Sequence, residues 1–323
     1  MESSERRITV ASNLGFGLDE RLKGLPFVGE VLSLPATGSW TLPASAEFLI
    51  YLHRPGEGGR GAPRPQGWPG QLRAIQCAAA GLDQYPDWLF EVSPVACARG
   101  TNSAAIAEYA MTAMLTFEKR IPQIWQDGEE PWPTQAETAS RPLGGLEGKT
   151  VGLIGWGSIA QRVASLAAPF GMRVMACRRN PGPASGDVQM ATFAEVVAGA
   201  DHLVLALPLT NDSAHILDAK AIGSMKKSAH LINVSRGGLV DQAALESALV
   251  AGTLAGATLD VTDPEPLPRG ASLYRAPNIR ISAHVSWASP LTMLNVSQKI
   301  AANLKRFALG APLLDVVDPT LRY

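Results

Sequence analysis

Short, mostly apolar runs recur through the second half of the chain, and segments of helical character lie between most of them. The apolar runs cover residues 150–154, 172–177, 202–206, 230–234, 255–259 and 279–282. The segments of helical character cover residues 159–170, 192–198 and 242–251. Apolar strands that alternate with helices are typical of a parallel sheet covered on both faces and joined by right-handed crossovers. The pattern predicts a doubly wound α/β domain with a parallel sheet, the Rossmann architecture.

The first 98 residues show a different pattern, in which short apolar segments are separated by clusters of glycine and proline. The apolar segments cover residues 8–10, 28–32, 48–52 and 72–76, and the densest Gly and Pro cluster covers residues 55–69. This pattern predicts strands in alternation with short helices, and a loop over residues 55–69.

Two longer helices are predicted at the ends of the doubly wound region. The first covers residues 103–119, where Thr101, Asn102 or Ser103 can cap a run of good helix formers, and the second covers residues 290–309. Residues 123–148 show little periodicity and are predicted to form an extended connection. At roughly 150 residues per domain, two domains are expected. We assign residues 1–98 with 290–323 to one discontinuous α/β domain and residues 99–289 to the other.

Composition and charge exclude several classes of protein. Hydrophobic residues make up 46% of the 323 residues and charged residues 18%, which is typical of a folded globular chain. The net charge of −1 leaves no basic excess for nucleic acid or for an anionic membrane surface. The three cysteines fit no metal-ligand spacing and cannot all pair, the first residues are charged, and no apolar run is long enough to cross a bilayer. We expect a cytoplasmic protein that binds neither nucleic acid nor membrane and has no metal site.

The segment around residues 150–177 carries the most specific motif. An apolar strand runs into Gly155-Trp156-Gly157-Ser158-Ile159-Ala160, and a helix and a second apolar strand follow. In this GxGxxA arrangement the first glycine permits a tight turn, and the second lets the main chain approach a pyrophosphate. The helix N-terminus then offers N–H groups to the anion. The order of these pieces within about 30 residues predicts a dinucleotide site.

The end of the second strand indicates which dinucleotide is bound. An NAD site usually has an acidic residue there that binds the adenosine ribose, but this chain has Arg178 and Arg179. Two guanidinium groups can bind a 2′-phosphate, and we therefore expect NADP(H) to be preferred over NAD(H). The alternative is that the two arginines are simply solvated at a strand end.

Three chemically capable residues each follow an apolar run. Arg236 follows the run at 230–234, Glu265 follows the run at 255–259, and His284 follows the last run. Ligands bind at the carboxyl ends of the strands in doubly wound sheets, so these loops should converge on the cofactor.

Together these segments resemble the D-isomer-specific 2-hydroxyacid dehydrogenases, the family that includes glyoxylate/hydroxypyruvate reductases. The matching pieces are AAAGLDQYP, AAIAEYA, GLIGWGSIA, LALPLT, LINVSRGGLVDQAALESAL, GATLDVTDPEPLP and SAHVS. The resemblance covers nearly the whole chain. It implies a Rossmann dinucleotide domain over 99–289, a smaller flavodoxin-like substrate domain over 1–98 and 290–323, and a homodimer built partly through the helix at 103–119.

The resemblance also implies a role for each site residue. His284 is the general acid, Glu265 orients its ring and favours the protonated form, and Arg236 binds the substrate carboxylate. Ala80, Gly81 and Leu82 form a loop whose backbone binds substrate. The cofactor-binding residues are Gly155, Trp156, Gly157, Ser158, Ile159, Arg178, Arg179, Pro208 and Asp260, of which Asp260 has a structural or cofactor-side role. Trp287 either lines the substrate pocket or packs against the following helix.

The function implied is an oxidoreductase that transfers a hydride from NADPH to a small 2-oxo acid, such as glyoxylate or hydroxypyruvate, and forms a D-2-hydroxy acid. One alternative is an NAD-dependent dehydrogenase that oxidises a bulkier acid. Another is a dinucleotide-sensing corepressor of the same fold, although the complete Arg, Glu and His set argues against it.

Overall fold

The computed structural model describes residues 6–15, 17–54, 56–121, 123–125, 128–129, 131–179 and 186–322. The chain divides into two compact units. The first unit is Met1–Asn102 with Ser289–Tyr323, and the second is Ser103–Ala288. The sequence placed the corresponding boundaries after residues 98 and 289.

The first unit contains a five-stranded parallel sheet. Its strands are β1 (Ile8–Ser12), β2 (Val28–Ser33), β3 (Phe48–Tyr51), β4 (Ala74–Cys77) and β5 (Val95–Ala96), in the order β2-β1-β3-β4-β5. Its α-helices are α1 (Leu18–Lys23) and α8 (Pro290–Ala308). This strand order is that of the flavodoxin-like folds, which confirms the fold expected for the smaller domain.

Alternate residues of β3 face two separate cores in this unit. Phe48 and Ile50 pack in one cluster with Ile300 of α8, while Leu49 and Tyr51 pack in the other. Because side chains alternate across a strand, a strand buried on both faces is apolar throughout. The sheet is therefore a central layer, with apolar packing on each side.

The second unit contains a seven-stranded parallel sheet. Its strands are β6 (Thr150–Ile154), β7 (Arg173–Cys177), β8 (Val188–Met190), β9 (His202–Leu205), β10 (His230–Asn233), β11 (Gly256–Leu259) and β12 (Ile279–Ile281). The order is β12-β11-β10-β9-β6-β7-β8. The chain thus starts in the centre at β6, runs to one edge, and crosses over to build the other side from β9. The doubly wound parallel sheet predicted from the sequence is confirmed.

The described residues of the second unit contain six α-helices. They are α2 (Ser103–Lys119), α3 (Gln135–Ser140), α4 (Ser158–Ala167), α5 (Phe193–Gly199), α6 (Ala219–Ser224) and α7 (Gln242–Val250). Core clusters lie on both faces of the sheet, one containing residues of α2 and α4 and the other residues of α5, α6 and α7. No helix among the described residues is both long enough and apolar enough to cross a membrane.

Several short elements differ from the sequence-based prediction. The connection over residues 123–148 contains α3, because Thr134 and Glu137 form a capping box, in which each side chain bonds the other residue's backbone N–H. The sequence also did not predict β5, β8 or α6, which are two, three and six residues long. Elements this short carry too few residues to show a periodicity.

Candidate active site

The turn between β6 and α4 has the geometry that its glycines predict. Gly155 has φ of 100°, and a side chain there would collide with the carbonyl oxygen of Ala206 at the end of the neighbouring strand β9. Its N–H donates to Cys177 O at 3.0 Å, which ties the turn to the end of β7. Only glycine fits both the backbone conformation and the space at this position.

Gly157 differs from Gly155 because the space in front of it is open. A Cβ atom at Gly157 would have no heavy atom within 4 Å, and Gly157 is the N-cap of α4. The first N–H groups of a helix have no partner within the helix and carry its positive dipole end. Ala160 is fully buried in the core beside α2, which allows the helix to pack closely on the sheet. An exposed glycine at a helix N-terminus fits a pyrophosphate.

The remaining predicted cofactor residues lie near the same edge of the sheet. Trp156 and Ile159 are half-buried against the core, and Ser158 is exposed and accepts a hydrogen bond from Ser103 at 2.8 Å. Arg178 and Arg179 follow β7 directly and are exposed, and neither forms an ion pair with another described residue. Pro208 is exposed in the loop after β9, and its carbonyl oxygen accepts from Ser213 Oγ at 2.8 Å.

Glu265 and His284 are in direct contact. Glu265 lies in the loop after β11 and His284 in the loop after β12, and these two strands are neighbours in the sheet. His284 Nδ1 is 2.6 Å from Glu265 Oε1, and both side chains are partly open, with exposed fractions of 38% and 41%. A carboxylate only accepts hydrogen bonds, so Nδ1 carries the hydrogen and Nε2 remains the other nitrogen of the ring.

Asp260 fixes the loop that carries His284. The Asp260 side chain is buried and accepts from Val285 N at 2.9 Å, Ser286 N at 2.9 Å and Ser282 Oγ at 2.6 Å. Burial alone raises the pKa of Asp260, but the hydrogen bonds from Ser282 and Ser286 outweigh it and leave the pKa below its ordinary value. Asp260 therefore holds the loop that carries His284. A cofactor-side role stays a prediction.

Arg236 lies in the loop after β10, and β10 is the neighbour of β11 in the sheet. Asn233 holds this loop, because its side chain accepts from Ser235 N at 3.1 Å and donates to Arg236 O at 2.8 Å. A Cβ atom at Gly237 would collide with the backbone of Thr262, in the loop that carries Glu265. The Arg236 loop and the Glu265 loop are thus packed backbone to backbone.

Trp287 is fixed to the same histidine through the main chain. Its indole Nε1 donates to His284 O at 2.9 Å, while 41% of the residue is exposed. The hydrogen bond sets the direction of the indole ring relative to the histidine loop. Whether the exposed part of the ring contacts a substrate stays a prediction.

The predicted substrate loop, Ala80 to Leu82, belongs to the first unit and follows β4. Leu82 is fully buried in the core with Tyr51 and Trp88, so its side chain packs inside the unit and only its backbone can contact a ligand. Ala80 and Gly81 are half-buried.

Two residues that hold the site were not singled out from the sequence. Asn233 and Ser282 each lie at or just past the end of a strand. Asn233 bonds within its own loop, whereas Ser282 bonds Asp260 in the loop after β11. The available signal was a polar residue at or near the end of a mostly apolar run, which the sequence shows at both positions. That signal is weak, because most strand ends are followed by polar loop residues.

A comparison with known protein families shows which family the second unit resembles. The family described as "D-isomer specific 2-hydroxyacid dehydrogenase, NAD binding domain" matches residues 111–286, more than half of the chain. The matched range lies wholly in the second unit, and it contains the GxGxxA turn and the Arg236, Glu265 and His284 loops.

Individual relatives extend the similarity to the rest of the chain. A glycerate dehydrogenase of Methylorubrum extorquens is 38% identical over 173 residues, so the match spans 53% of this chain and 54% of that relative. A glyoxylate reductase/hydroxypyruvate reductase of Mus musculus is 32% identical over 246 residues, which are 72% of this chain and 73% of that protein. The solved NADPH-dependent glyoxylate/hydroxypyruvate reductase of Sinorhizobium meliloti, in complex with NADP and malonate, is 26% identical with a TM-score of 0.74 and 99% coverage of both chains. The chain belongs to the D-isomer-specific 2-hydroxyacid dehydrogenases.

Proposed function

We propose that this protein reduces a small 2-oxo acid to the D-2-hydroxy acid with NADPH as the hydride donor. The observation that carries the proposal is the 2.6 Å contact between Glu265 and His284, at the carboxyl edge of a sheet that also carries Arg236 and the GxGxxA turn. Reduction of a carbonyl group needs a proton donor and a bound hydride donor. The His284 ring with its orienting carboxylate, the Arg236 guanidinium and the dinucleotide turn are suited to these tasks.

The residues present fit a nicotinamide dinucleotide. Gly157 leaves open space at the N-terminus of α4 for the pyrophosphate, and Arg178 and Arg179 at the end of β7 would bind the 2′-phosphate. Trp156, Ser158, Ile159, Pro208 and Asp260 complete the proposed cofactor side. When bound, the nicotinamide supplies the hydride.

The proton comes from His284. Glu265 accepts the Nδ1 hydrogen, so in the protonated ring Nε2–H is the donor available to a substrate. As the carbonyl carbon gains a hydride, its oxygen takes the proton from Nε2, and in the reverse direction neutral Nε2 takes the proton from the hydroxyl. In both directions, the negative charge of Glu265 stabilises the positively charged form of the His284 ring.

Arg236 is proposed to bind the substrate carboxylate and polarise the carbonyl, because a guanidinium remains charged through the reaction. The fixed loop around it, held by Asn233 and by the Gly237 contact, would limit the positions of its side chain. For the first unit we propose that the loop of Ala80, Gly81 and Leu82 binds substrate through its backbone N–H groups.

The choice of substrate is tested with a panel of 2-oxo acids of increasing size. Turnover should be fastest with glyoxylate and hydroxypyruvate and should fall as the side chain grows, and the chiral product should be the D isomer. The assay follows the loss of NADPH absorbance and resolves the product on a chiral column. No turnover of any 2-oxo or 2-hydroxy acid with either cofactor would refute the proposal.

The NADPH preference is tested at the two arginines after β7. The double variant Arg178→Ala/Arg179→Ala should raise the KM for NADPH by about 10-fold or more, since a charge-assisted hydrogen bond contributes about 1.5–3 kcal/mol. The KM for NADH should change little. Arg173→Ala is the matched control, because Arg173 is exposed at the opposite end of the same strand. A wild-type enzyme that prefers NADH would contradict the assignment.

We further propose a homodimer built partly through α2, and a cytoplasmic location. Large apolar side chains are exposed in the segment after α2, where Trp125 is 65% and Trp132 is 87% exposed, and a partner surface would cover them. Light scattering should give twice the chain mass, and Trp132→Ser should shift the protein toward monomer.

The proposed cytoplasmic location is supported by the cysteines. Cys77, Cys97 and Cys177 are free, which is typical of a reducing compartment, and cell fractionation tests the location.

A further inference from the structure

We propose that Tyr109 of α2 is a positioning residue for His284 and acts through Ser282 and Asp260. Tyr109 Oη is 2.5 Å from Ser282 Oγ, which is 2.6 Å from Asp260 Oδ1. Tyr109 lies 173 residues before Ser282 in the chain, so the contact ties the His284 loop to a distant helix. The inference rests on the proposed acid role of His284.

The hydrogens in this chain of contacts have a fixed direction. The Asp260 carboxylate only accepts, so the single hydroxyl hydrogen of Ser282 is donated to Asp260. Tyr109 must then donate its own hydroxyl hydrogen to Ser282 Oγ. Burial raises the pKa of Tyr109, while the Ser282 contact lowers it, and burial is the larger effect. The Tyr109 hydroxyl therefore stays protonated and able to donate.

The His284 loop needs such external bonds because its backbone is strained. His284 has φ of 53°, in the left-handed region that residues other than glycine seldom adopt. The loop is held on both sides of His284 by Asp260, which binds Ser282 before it and Val285 and Ser286 after it, while Asp260 O accepts from His284 N at 2.8 Å. The three bonds to the carboxylate depend on the orientation of the Asp260 side chain.

Tyr109 lies outside the His284 loop and holds the Ser282 side chain in place. Without the Tyr109 hydroxyl, Ser282 Oγ loses the donor that the described residues give it, and the Ser282 side chain is then held by its bond to Asp260 alone. The histidine ring would then spend less time against Glu265. A catalytic group held less precisely transfers its proton less often.

The test is Tyr109→Phe, which keeps the ring and removes only the hydroxyl. We expect kcat for 2-oxo acid reduction to fall about 10-fold, less than the ~100-fold that a misplacement of about 1 Å can cost. The dissociation constant of NADPH should stay within about 2-fold, because the hydroxyl that is removed bonds Ser282 and the residues proposed to bind the pyrophosphate and the 2′-phosphate are unchanged. Tyr274→Phe is the matched control, since its hydroxyl bonds Leu267 O at 3.2 Å on an exposed surface of the same unit.

A second variant and a double variant separate positioning from simple packing. Ser282→Ala removes the middle of the chain and should lower kcat by at least as much as Tyr109→Phe. If the residues act in series, Tyr109→Phe should add little to Ser282→Ala in the double variant. Fully additive losses would overturn the proposal, as would an unchanged kcat in Tyr109→Phe.

A measurement that needs no turnover distinguishes failure of this inference from failure of the proposed function. The Nδ1 hydrogen of His284, bonded to Glu265, is observable by NMR on 15N-labelled protein and is assigned by its loss in His284→Gln. Its exchange with water should be clearly faster in Tyr109→Phe than in wild type or Tyr274→Phe. Equal exchange in all three proteins would refute the positioning role, even in a protein that shows no activity toward 2-oxo acids.

Discussion

His284 combines an unfavourable backbone conformation with the most chemically useful side chain of the site. The left-handed conformation at φ of 53° costs roughly 1–2 kcal/mol for a residue with a Cβ atom. The turn at this point directs the ring toward Glu265 of the neighbouring loop, so the strain accompanies a specific placement. The strained backbone and the contact with Glu265 together support the proposed catalytic role of His284.

Replacing His284 with Gln removes the proposed proton donor. We expect kcat to fall by about 100-fold or more, within the range of general acid catalysis, with NADPH affinity almost unchanged. His284→Asn gives a second variant that tolerates the left-handed backbone well. Stopped-flow turnover and fluorescence titration of NADPH measure the two quantities.

The control for this replacement is His215→Gln. His215 is also exposed and also has a positive φ, of 49°, but it lies outside the proposed catalytic set. It should retain wild-type turnover. Near wild-type kcat in His284→Gln would show that another group is the acid.

At the scale of elements, two helices begin with the same capping box but differ in what they bury. Thr192 caps α5, whose Val196 and Val197 lie in the core, while Thr134 caps α3, none of whose residues is buried. The local hydrogen bonds of the two caps are equivalent. Their contribution to the stability of the whole domain is therefore set by packing, since only α5 must form for the core to form.

Thr192→Ala and Thr134→Ala form a matched pair that tests this difference. Thr192→Ala should lower the free energy of unfolding by about 1 kcal/mol, the usual cost of losing a cap. Thr134→Ala should change it by less than about 0.3 kcal/mol, because surface substitutions have small effects. Urea denaturation measures both, and equal losses would contradict the distinction.

At the scale of the whole molecule, a buried polar chain crosses the second unit away from the proposed site. His230 Nε2 is 2.9 Å from Thr258 Oγ1, His230 Nδ1 is 3.4 Å from His202 Nδ1, and His202 Nε2 is 3.1 Å from Glu118 Oε1. Glu118 also binds Lys149. Burial raises the pKa of Glu118, but the hydrogen bonds from His202 and Lys149 outweigh burial and lower it. This chain of contacts joins α2 to β6, β9, β10 and β11.

His230 makes the stability of this unit depend on pH. Burial, then the neighbouring His202 and Arg280, lower the pKa of His230 well below 6.5, and the ring stacks on Phe117 at 4.3 Å. The folded state keeps the ring neutral, while the unfolded chain takes up a proton as pH falls through about 6.5. The unfolded state then binds more protons, so the free energy of unfolding falls by up to about 1.4 kcal/mol per pH unit from this group.

The melting temperature should accordingly drop between pH 7.5 and pH 5.5. His230→Gln has no titrating ring, so its drop over this range should be smaller than that of wild type, whatever its absolute stability. His215→Gln should retain the wild-type drop, because His215 is exposed. Scanning calorimetry at the two pH values measures the difference, and identical drops in His230→Gln and wild type would exclude His230 as its source.

The fold class and the family follow from the amino-acid sequence alone, because both depend on local patterns. Apolar runs mark strands that are buried on both faces, and the GxGxxA turn requires its glycines where the pattern shows them. Arg236, Glu265 and His284 could be chosen because the carboxyl ends of parallel strands share one edge of the sheet.

Which side chains meet is visible only in the folded chain. The contact of Tyr109 with Ser282 and the packing of Gly237 on Thr262 join residues from different elements, and no local period predicts them. The same is true of Leu82, which the motif places in a substrate loop but which the first unit buries in its core. Local propensity selects helices, strands and turns one by one, whereas a contact depends on strand order and packing, which involve the whole chain at once.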